Sequence, residues 1–544
     1  MTGLVRAAMP HLVVGPIVVP MAAAAAMLLL GEGRRNIKIA MGMTSALIGL
    51  ALSCALFAWT DLHGTVAYLP GNWRPPFGIA LAVDRLSAAM LVLTWLLGAA
   101  GLLFASARWH RAGVHFHSLV QLELMGLSGA FLTADVFNLF VFFEILLAAS
   151  YGLLLHGSGK TRVRAGVSYV AMNLAGSSLF LIGAAIVYGV TGTLNMAELS
   201  ARLSAASLAN RHLVEMGAAF LLLAFLLKAG AWPINLWLSP AYAAATPPVA
   251  AMFAILTKVG VYALIRLWTL MFAGGSLGGF GADVVLAFGV VTTLLASLGM
   301  LASQRGAEQA SWAVVVSAGT LLCAVGLGGA RALGSALFYL VPSTIAASLL
   351  FLLADIVQRW RAGATAVDEA PFLNAALEAE DINLDDEGEP LIALPFSGST
   401  ALLGLAFLAC ALLVAGLPPL PTFIGKLGML SAAVVDAGAH GQPRTWIFVA
   451  TLLASGVLVL LALMRTGIRI FWSGPQRERP HIRAAEGLSV LGLLATTVAL
   501  MVAAGPAIAV ANAAARSLYE RESYIEAVLS ARVRPMATRP SGSP

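Results

Sequence analysis

The sequence predicts an all-α polytopic membrane protein of about 14 transmembrane helices. Of its 544 residues, 60% are hydrophobic and only 11% charged, against about 45–50% and about 25% in soluble domains. The mean hydropathy is +0.89. The apolar residues fall into separate runs of about 18–25, the length of α-helix that crosses a hydrocarbon core of about 30 Å, and none alternates with the period of a barrel strand.

Taken in chain order, helices are expected near residues 8–30, 38–60, 79–105, 114–133, 136–156, 165–190, 213–238, 247–272, 282–303, 311–328, 333–357, 400–436, 445–471 and 485–511. Arg6 precedes a first apolar stretch longer than a signal-peptide h-region and interrupted by Pro10, Pro16 and Pro20, so this span is expected to stay in the mature chain. The run at 400–436 is too long for one straight crossing. It holds Pro418, Pro419 and Pro421 near its middle and is expected to be broken there.

Loop charges set the expected orientation. Alternate loops carry Arg34, Arg35 and Lys38; Arg108 and Arg111; Lys160, Arg162 and Arg164; Arg305; Arg359 and Arg361; and Arg477, Arg479 and Arg483. These are expected to face the cytoplasm, with both termini outside. The acidic run at 368–389 reads as a solvated cytoplasmic loop, with partner docking or cation concentration as alternatives. Without it the remainder is strongly cationic, which suits loops over anionic lipid. The basic residues are scattered between spans, which excludes a nucleic-acid-binding face.

Cys54, Cys323 and Cys410 each stand alone in an apolar span, and no disulfide is expected. His110, His115 and His117 cluster where a loop meets a helix and read as hydrated interface rather than a metal site. The chain shows no nucleotide-binding glycine pattern, triad spacing or cofactor motif, and its loops are too short for a catalytic domain. A stand-alone enzyme is not expected.

Lysine usage carries the functional signal. There are five lysines among 32 basic residues, and three of them, Lys228, Lys258 and Lys426, fall inside spans. A desolvated ammonium can lose its proton near about pH 5–6, whereas a guanidinium stays charged. Lys258 follows Thr246-Pro247-Pro248, a helix start, by roughly 16 Å, and Glu144 follows a cap at Asp135 by roughly 13 Å. Each buried charge costs about 2.5–3.5 kcal/mol on insertion scales unless it meets protein, a partner or trapped water.

Two readings of this set stand side by side. In one, Glu144 and Lys228 form a buried ion pair while Lys258 and Lys426 snorkel to an interface. In the other, all four line a proton path. One acid against three deep lysines favours the second. Proline adds to it, because Lys228 and Pro233 form K-x4-P while Pro421 and Lys426 form P-x4-K. Each lysine is therefore expected about a turn from a backbone break, where freed peptide groups attract water. Two broken helices in separate halves also suggest internal repeats.

The stretches NLFVFFEILLAASYGLLLHG, LLKAGAWPINLWLSPAYAAATPPVAAMFAILTKVGVYALIRL and AGLPPLPTFIGKLGMLSAA resemble the D-type subunit of Mrp/Pha-type multisubunit cation/proton antiporters. That family shares its motifs with the proton-pumping subunits of complex I and of membrane-bound hydrogenases. VDRLSAAMLVLT, LTADVFNLFVFFE, the acidic insert and the IEAVL tail favour the Mrp type.

The resemblance implies two inverted five-helix repeats, each with one broken helix. The expected divisions are 1–112, 113–272, 273–475 with an acidic loop at 360–397, and 476–544. Glu144, Lys228, Lys258 and Lys426 match the family's proton-translocating positions. Implied partners are the A, B, C, E, F and G types of Mrp component, Na⁺ or K⁺, H⁺ and bacterial inner-membrane lipid, with no cofactor. A redox-driven pump component and a non-conducting scaffold are the alternatives.

Four positions depart from the family pattern. Pro342 replaces a relay histidine and is expected to kink its helix; Glu308-Gln309 replaces a basic pair; Ser239-Pro240 stands for Leu-Pro; and Glu123 stands where a neutral residue is usual. Glu123 is either interfacial or an additional titrating group.

Overall fold

The computed structural model describes residues 11–31, 33–205, 210–272, 279–368, 398–437, 442–472 and 480–531. The N-terminal part comprises α1 (Gly15–Leu29), α2 (Arg35–His63), the antiparallel ribbon β1 (Val66–Tyr68) and β2 (Leu81–Val83), and α3 (Arg85–Ala107). Then follow α4 (Phe116–Leu132), α5 (Val136–Leu154), α6 (Lys160–Thr191), α7 (Met196–Ala205), α8 (Arg211–Ala229), α9 (Leu238–Ala244), α10 (Pro247–Phe253) and α11 (Leu256–Phe272). The second half holds α12 (Ala282–Ala302), α13 (Gly306–Leu327), α14 (Ala330–Asp368), α15 (Gly398–Ala415), α16 (Pro421–Ala437) and α17 (Pro443–Phe471). It ends with α18 (Ala484–Val502), α19 (Ala504–Tyr519) and α20 (Glu522–Leu529).

Among the described residues, 12 helical segments are long and apolar enough to cross a membrane. The other two expected spans are the shorter helices α1, of 15 residues, and α4, of 17. Large apolar side chains such as Leu174, Leu181, Leu405, Leu461 and Leu491 are exposed on the outside of the bundle. That is the pattern of a chain whose solvent is lipid, and the protein is a multi-pass membrane protein.

Local chemistry explains where helices stop. Asp135 accepts from the Asn138 amide at 2.8 Å and starts α5. Ala134 N–H donates to Ala80 O, and Val136 N–H to Leu194 O, so the start of α5 is pinned between two loops. α8 ends earlier than expected, because Gly230 takes φ +74° and the chain then runs non-helically through Pro233 to Trp237. The expected helix at 485–511 is divided at Ala503, since Pro506 cannot accommodate the carbonyl of Val502 in a continuing helix. Three short helices, α7, α9 and α20, were not expected; the Asn195 side chain accepts from the amides of Ala197 and Glu198 to start α7.

Packing centres on α10 and α11, whose membrane-length window is wholly buried. A buried ion pair locks this centre to the rest. Both Arg266 terminal nitrogens lie 2.7 Å from Asp84 carboxylate oxygens, joining α11 to the start of α3. The guanidinium also stacks 4.9 Å from the Tyr524 ring of α20 and 5.5 Å from that of Tyr262.

One expectation is corrected here. His110 and His117 are buried, with ring centroids 5.8 Å apart, rather than hydrated; only His115 of the three is exposed. The reason is that the loop before α4 packs against His156, just beyond α5: His156 Nε2 lies 3.1 Å from Trp109 O, and His110 Nδ1 lies 3.0 Å from Ala105 O. Pro342 sits inside α14, which continues helically through it. The acidic run at 368–389 lies outside the described residues, apart from Asp368 at the end of α14.

Candidate functional site

Each of the three deep lysines stands beside an interruption in a helix. Lys228 is in the last turn of α8, just before Gly230. It is half-buried; its Nζ lies 3.4 Å from Asn173 Oδ1 and 5.7 Å from the centre of the Phe143 ring. Lys258 is fully buried in the first turn of α11, after a tight turn at Ala254-Ile255 separates α10 from α11. Its Nζ is 3.3 Å from both Thr257 Oγ1 and Val314 O. Lys426 is buried in the second turn of α16, beyond the interruption at residues 416–420 that contains Pro418 and Pro419, and Pro421 begins that helix.

The Lys426 amine reaches back across the break and donates to Ala415 O at 2.8 Å. Ala415 is the last residue of α15, so the cation sits on the negative end of a helix whose final carbonyls have no intrahelical partner. Gly416, at φ +75°, lies directly under this side chain: a Cβ there would stand 2.9 Å from Nζ.

Glu144 is half-buried on α5, and no ion pair joins it to Lys228, which removes the buried-pair alternative in this conformation. Both groups take partners on α6 instead. Ser177 Oγ donates to Glu144 Oε1, and Asn173, one turn earlier on the same face, meets Lys228. Gly183 and Gly217 let α6 and α8 approach to backbone contact, which holds this bridge in place. Sequence reasoning missed Asn173 and Ser177; their i, i+4 spacing within the apolar run SYVAMNLAGSSLF was the available signal.

Between Lys258 and Lys426 lies a group of hydroxyls, also unforeseen. Val314, which accepts from Lys258, and Ser317 share a face of α13. Ser317 Oγ is 2.9 Å from Ser343 Oγ on α14, and the Tyr339 hydroxyl lies among Ser317, Thr320 and Ser343. Gly425, next to Lys426, packs against the Tyr339 backbone. Among the described residues, none of the three lysines has a carboxylate within ion-pair distance, and no group of acids, histidines and cysteines could hold a metal.

Comparison with known proteins gives this arrangement a family. Residues 133–374 match the model described as NADH:quinone oxidoreductase/Mrp antiporter, TM. The chain is 46% identical over 532 residues to the D-type component of a probable K(+)/H(+) antiporter of Rhizobium meliloti (strain 1021), covering 96% of this chain and 98% of that one. The chain belongs to the family of D-type antiporter subunits. The D-type component of the Na(+)/H(+) antiporter of Bacillus subtilis (strain 168) is 31% identical over 528 residues, covering 96% of this chain and 100% of the relative.

A chain in the structure of the Mrp complex from Dietzia sp. DQ12-45-1b superposes with a TM-score of 0.80 at 26% identity, over 96% of this chain and 99% of that one. A chain of respiratory complex I from Thermus thermophilus shares the fold, with a TM-score of 0.71 at 22% identity, over 93% of this chain and 99% of the other. The two sequence relatives are named as antiporter components, in line with a transporter part rather than an enzyme.

Proposed function

We propose that this chain carries protons along the membrane midplane within an Mrp-type complex that exchanges H⁺ for Na⁺ or K⁺. The observation that carries the reading is Lys258: a fully buried amine in contact with a hydroxyl and a backbone carbonyl, without a counter-ion among the described residues. A permanent cation there would be costly, and a structural role would be served as well by an apolar side chain. An amine that takes up and releases H⁺ accounts for both its chemistry and its place beside a helix break.

In this reading Glu144, held by Ser177, governs the charge on Lys228 across the α6 bridge. Lys258 is the central relay, and the Ser317–Ser343–Tyr339 hydroxyls pass the proton toward Lys426. Hydroxyls can do this because each both donates and accepts. Lys426, perched on the end of α15, exchanges with one side. The similarity to named antiporter components supports antiport over redox-driven pumping, and the partners follow as the other Mrp component types. We place the two repeats at 113–272 and 273–475, with the termini outside the bacterial inner membrane.

The test is cation-dependent H⁺ exchange in everted vesicles carrying the full complex. Lys258→Ala and Lys228→Ala are expected to abolish exchange while the content of every component stays at the wild-type level. Exchange at wild-type rate in either variant would overturn the reading. A scaffold role predicts transport that survives as long as the complex assembles.

A further inference from the structure

Glu123 on α4 is fully buried, and neither carboxylate oxygen has a hydrogen-bond partner. An ionised carboxylate left in that state would be several kcal/mol out of balance. The form that fits the observed surroundings carries a proton. A protonated carboxylic acid can both donate and accept, which distinguishes this group from a merely misplaced charge.

Its neighbours lead toward Lys228. Gly152 of α5 packs over Leu119 of α4, and Gly126 of α4 against Leu146 of α5, so Glu123 falls opposite the small residues Ala149 and Ser150. Ser150 Oγ is 2.9 Å from the Tyr169 hydroxyl, and the Trp237 ring lies 5.2 Å from that of Tyr169 and 6.5 Å from that of Tyr242. Those two tyrosines, with Trp237, Asn173 and Lys228, line a cavity of about 20 Å³. That is room for about one water. Trp237, on the cavity wall, and Tyr151 bury their Nε1 and hydroxyl groups without a protein hydrogen-bond partner. Tyr151 stacks edge-on to Tyr169 at 5.5 Å.

We propose that Glu123 is a second proton-loading site of the first half, exchanging H⁺ with Lys228 through the Tyr169 and Tyr242 hydroxyls and water in the intervening cavity. In the forward step the Glu123 O–H bond breaks and an N–H bond forms on the neutral Lys228 amine, leaving carboxylate and ammonium; the reverse step restores both. The proposal rests on Lys228 being a proton carrier. Of the elements packed against α4, α5 carries Glu144 and Tyr151, α11 carries Lys258, Tyr262 and Arg266, α3 carries Arg85, α2 carries Arg35, Lys38, Cys54, Asp61 and His63, and α1 and β2 carry no titratable group; His117 lies on α4 itself.

Glu123→Gln keeps the shape and neutrality of the buried acid while removing its exchangeable proton. In everted vesicles with the full complex, it is expected to slow exchange by about 100-fold, with the content of every component unchanged. Glu123→Asp is expected to retain part of the rate with a displaced pH profile. Wild-type rate and profile in Glu123→Gln would overturn the proposal, since a purely packed neutral group tolerates that change. If Glu123→Gln fails to assemble, Tyr169→Phe decides: slowed exchange with a shifted pH profile supports the branch, and wild-type behaviour refutes it. Lys228→Ala separates the two levels. Activity lost in Lys228→Ala but kept in Glu123→Gln removes only this branch, whereas activity kept in Lys228→Ala removes the lysine reading itself.

Discussion

Gly416→Ala separates the role of the helix break from its stability. The new methyl group would stand 2.8 Å from Lys426 Cδ and 2.9 Å from Nζ. Ordinary contact begins near 3.4 Å, so the flexible side chain must retreat by about 0.5 Å. That retreat stretches the 2.8 Å bond to Ala415 O beyond the usual N–H···O limit of about 3.2 Å. A hydrogen bond to a charged group contributes about 1.5–3 kcal/mol, so a proton site built on it should lose about 10- to 100-fold in rate. The backbone cost of φ +75° for alanine is roughly 1–2 kcal/mol.

Gly192→Ala is the matched control, a glycine just past the end of α6 with φ +68°, whose new methyl would meet only the flexible end of the Arg202 side chain. It carries backbone strain of the same kind but touches no lysine. The assay is cation-driven H⁺ exchange in everted vesicles beside thermal stability of the purified complex. Both variants should lose comparable stability, and only Gly416→Ala should lose transport. Equal transport in the two would refute the claim that the Lys426 amine works from its seat on α15.

Two further predictions concern the frame around the site. Asp84→Ala leaves the Arg266 guanidinium buried and uncompensated, and should cost about 3–5 kcal/mol; Asp84→Ala with Arg266→Met should recover most of it, as read by thermal unfolding, and a single variant as stable as the double one would refute the assignment. Gly260→Ala places a methyl 2.6 Å from Ala229 N and 2.9 Å from Lys228 C. It should cost about 1–3 kcal/mol and slow transport by prising α11 from α8, whereas Gly189→Ala, in open space inside α6, should lower neither; wild-type melting for Gly260→Ala would show that the helices are not in backbone contact.

Much of the fold was legible because membrane spans obey one dominant rule, an apolar run of fixed length, and most expected spans match helices here. The deep lysines and Pro233, Pro418, Pro419 and Pro421 were visible for the same reason, as violations of that rule. The interruption at Ala254-Ile255 was not visible, since nothing in AMFAIL marks it; the Ile255 amide simply bonds to Met252 O in a tight turn imposed by packing. Asn173, Ser177, Ser317 and Ser343 were missed because hydroxyl and amide groups are inexpensive in a helix, and only the tertiary fold shows which of them meet. The Glu144–Lys228 ion pair of the alternative reading is absent for a related reason. Spacing along each helix says nothing of Ser177 and Asn173 on α6, which Glu144 and Lys228 take as partners instead.

The most direct test of the account is a high-resolution map of the assembled complex that resolves ordered water between Lys228 and Lys426. The account predicts a chain of waters and hydroxyls joining Lys228, Lys258, the Ser317–Ser343–Tyr339 group and Lys426 without a gap wider than one hydrogen bond. Dry, close-packed apolar contacts around Lys258, or lysine amines extended to the headgroups, would contradict it.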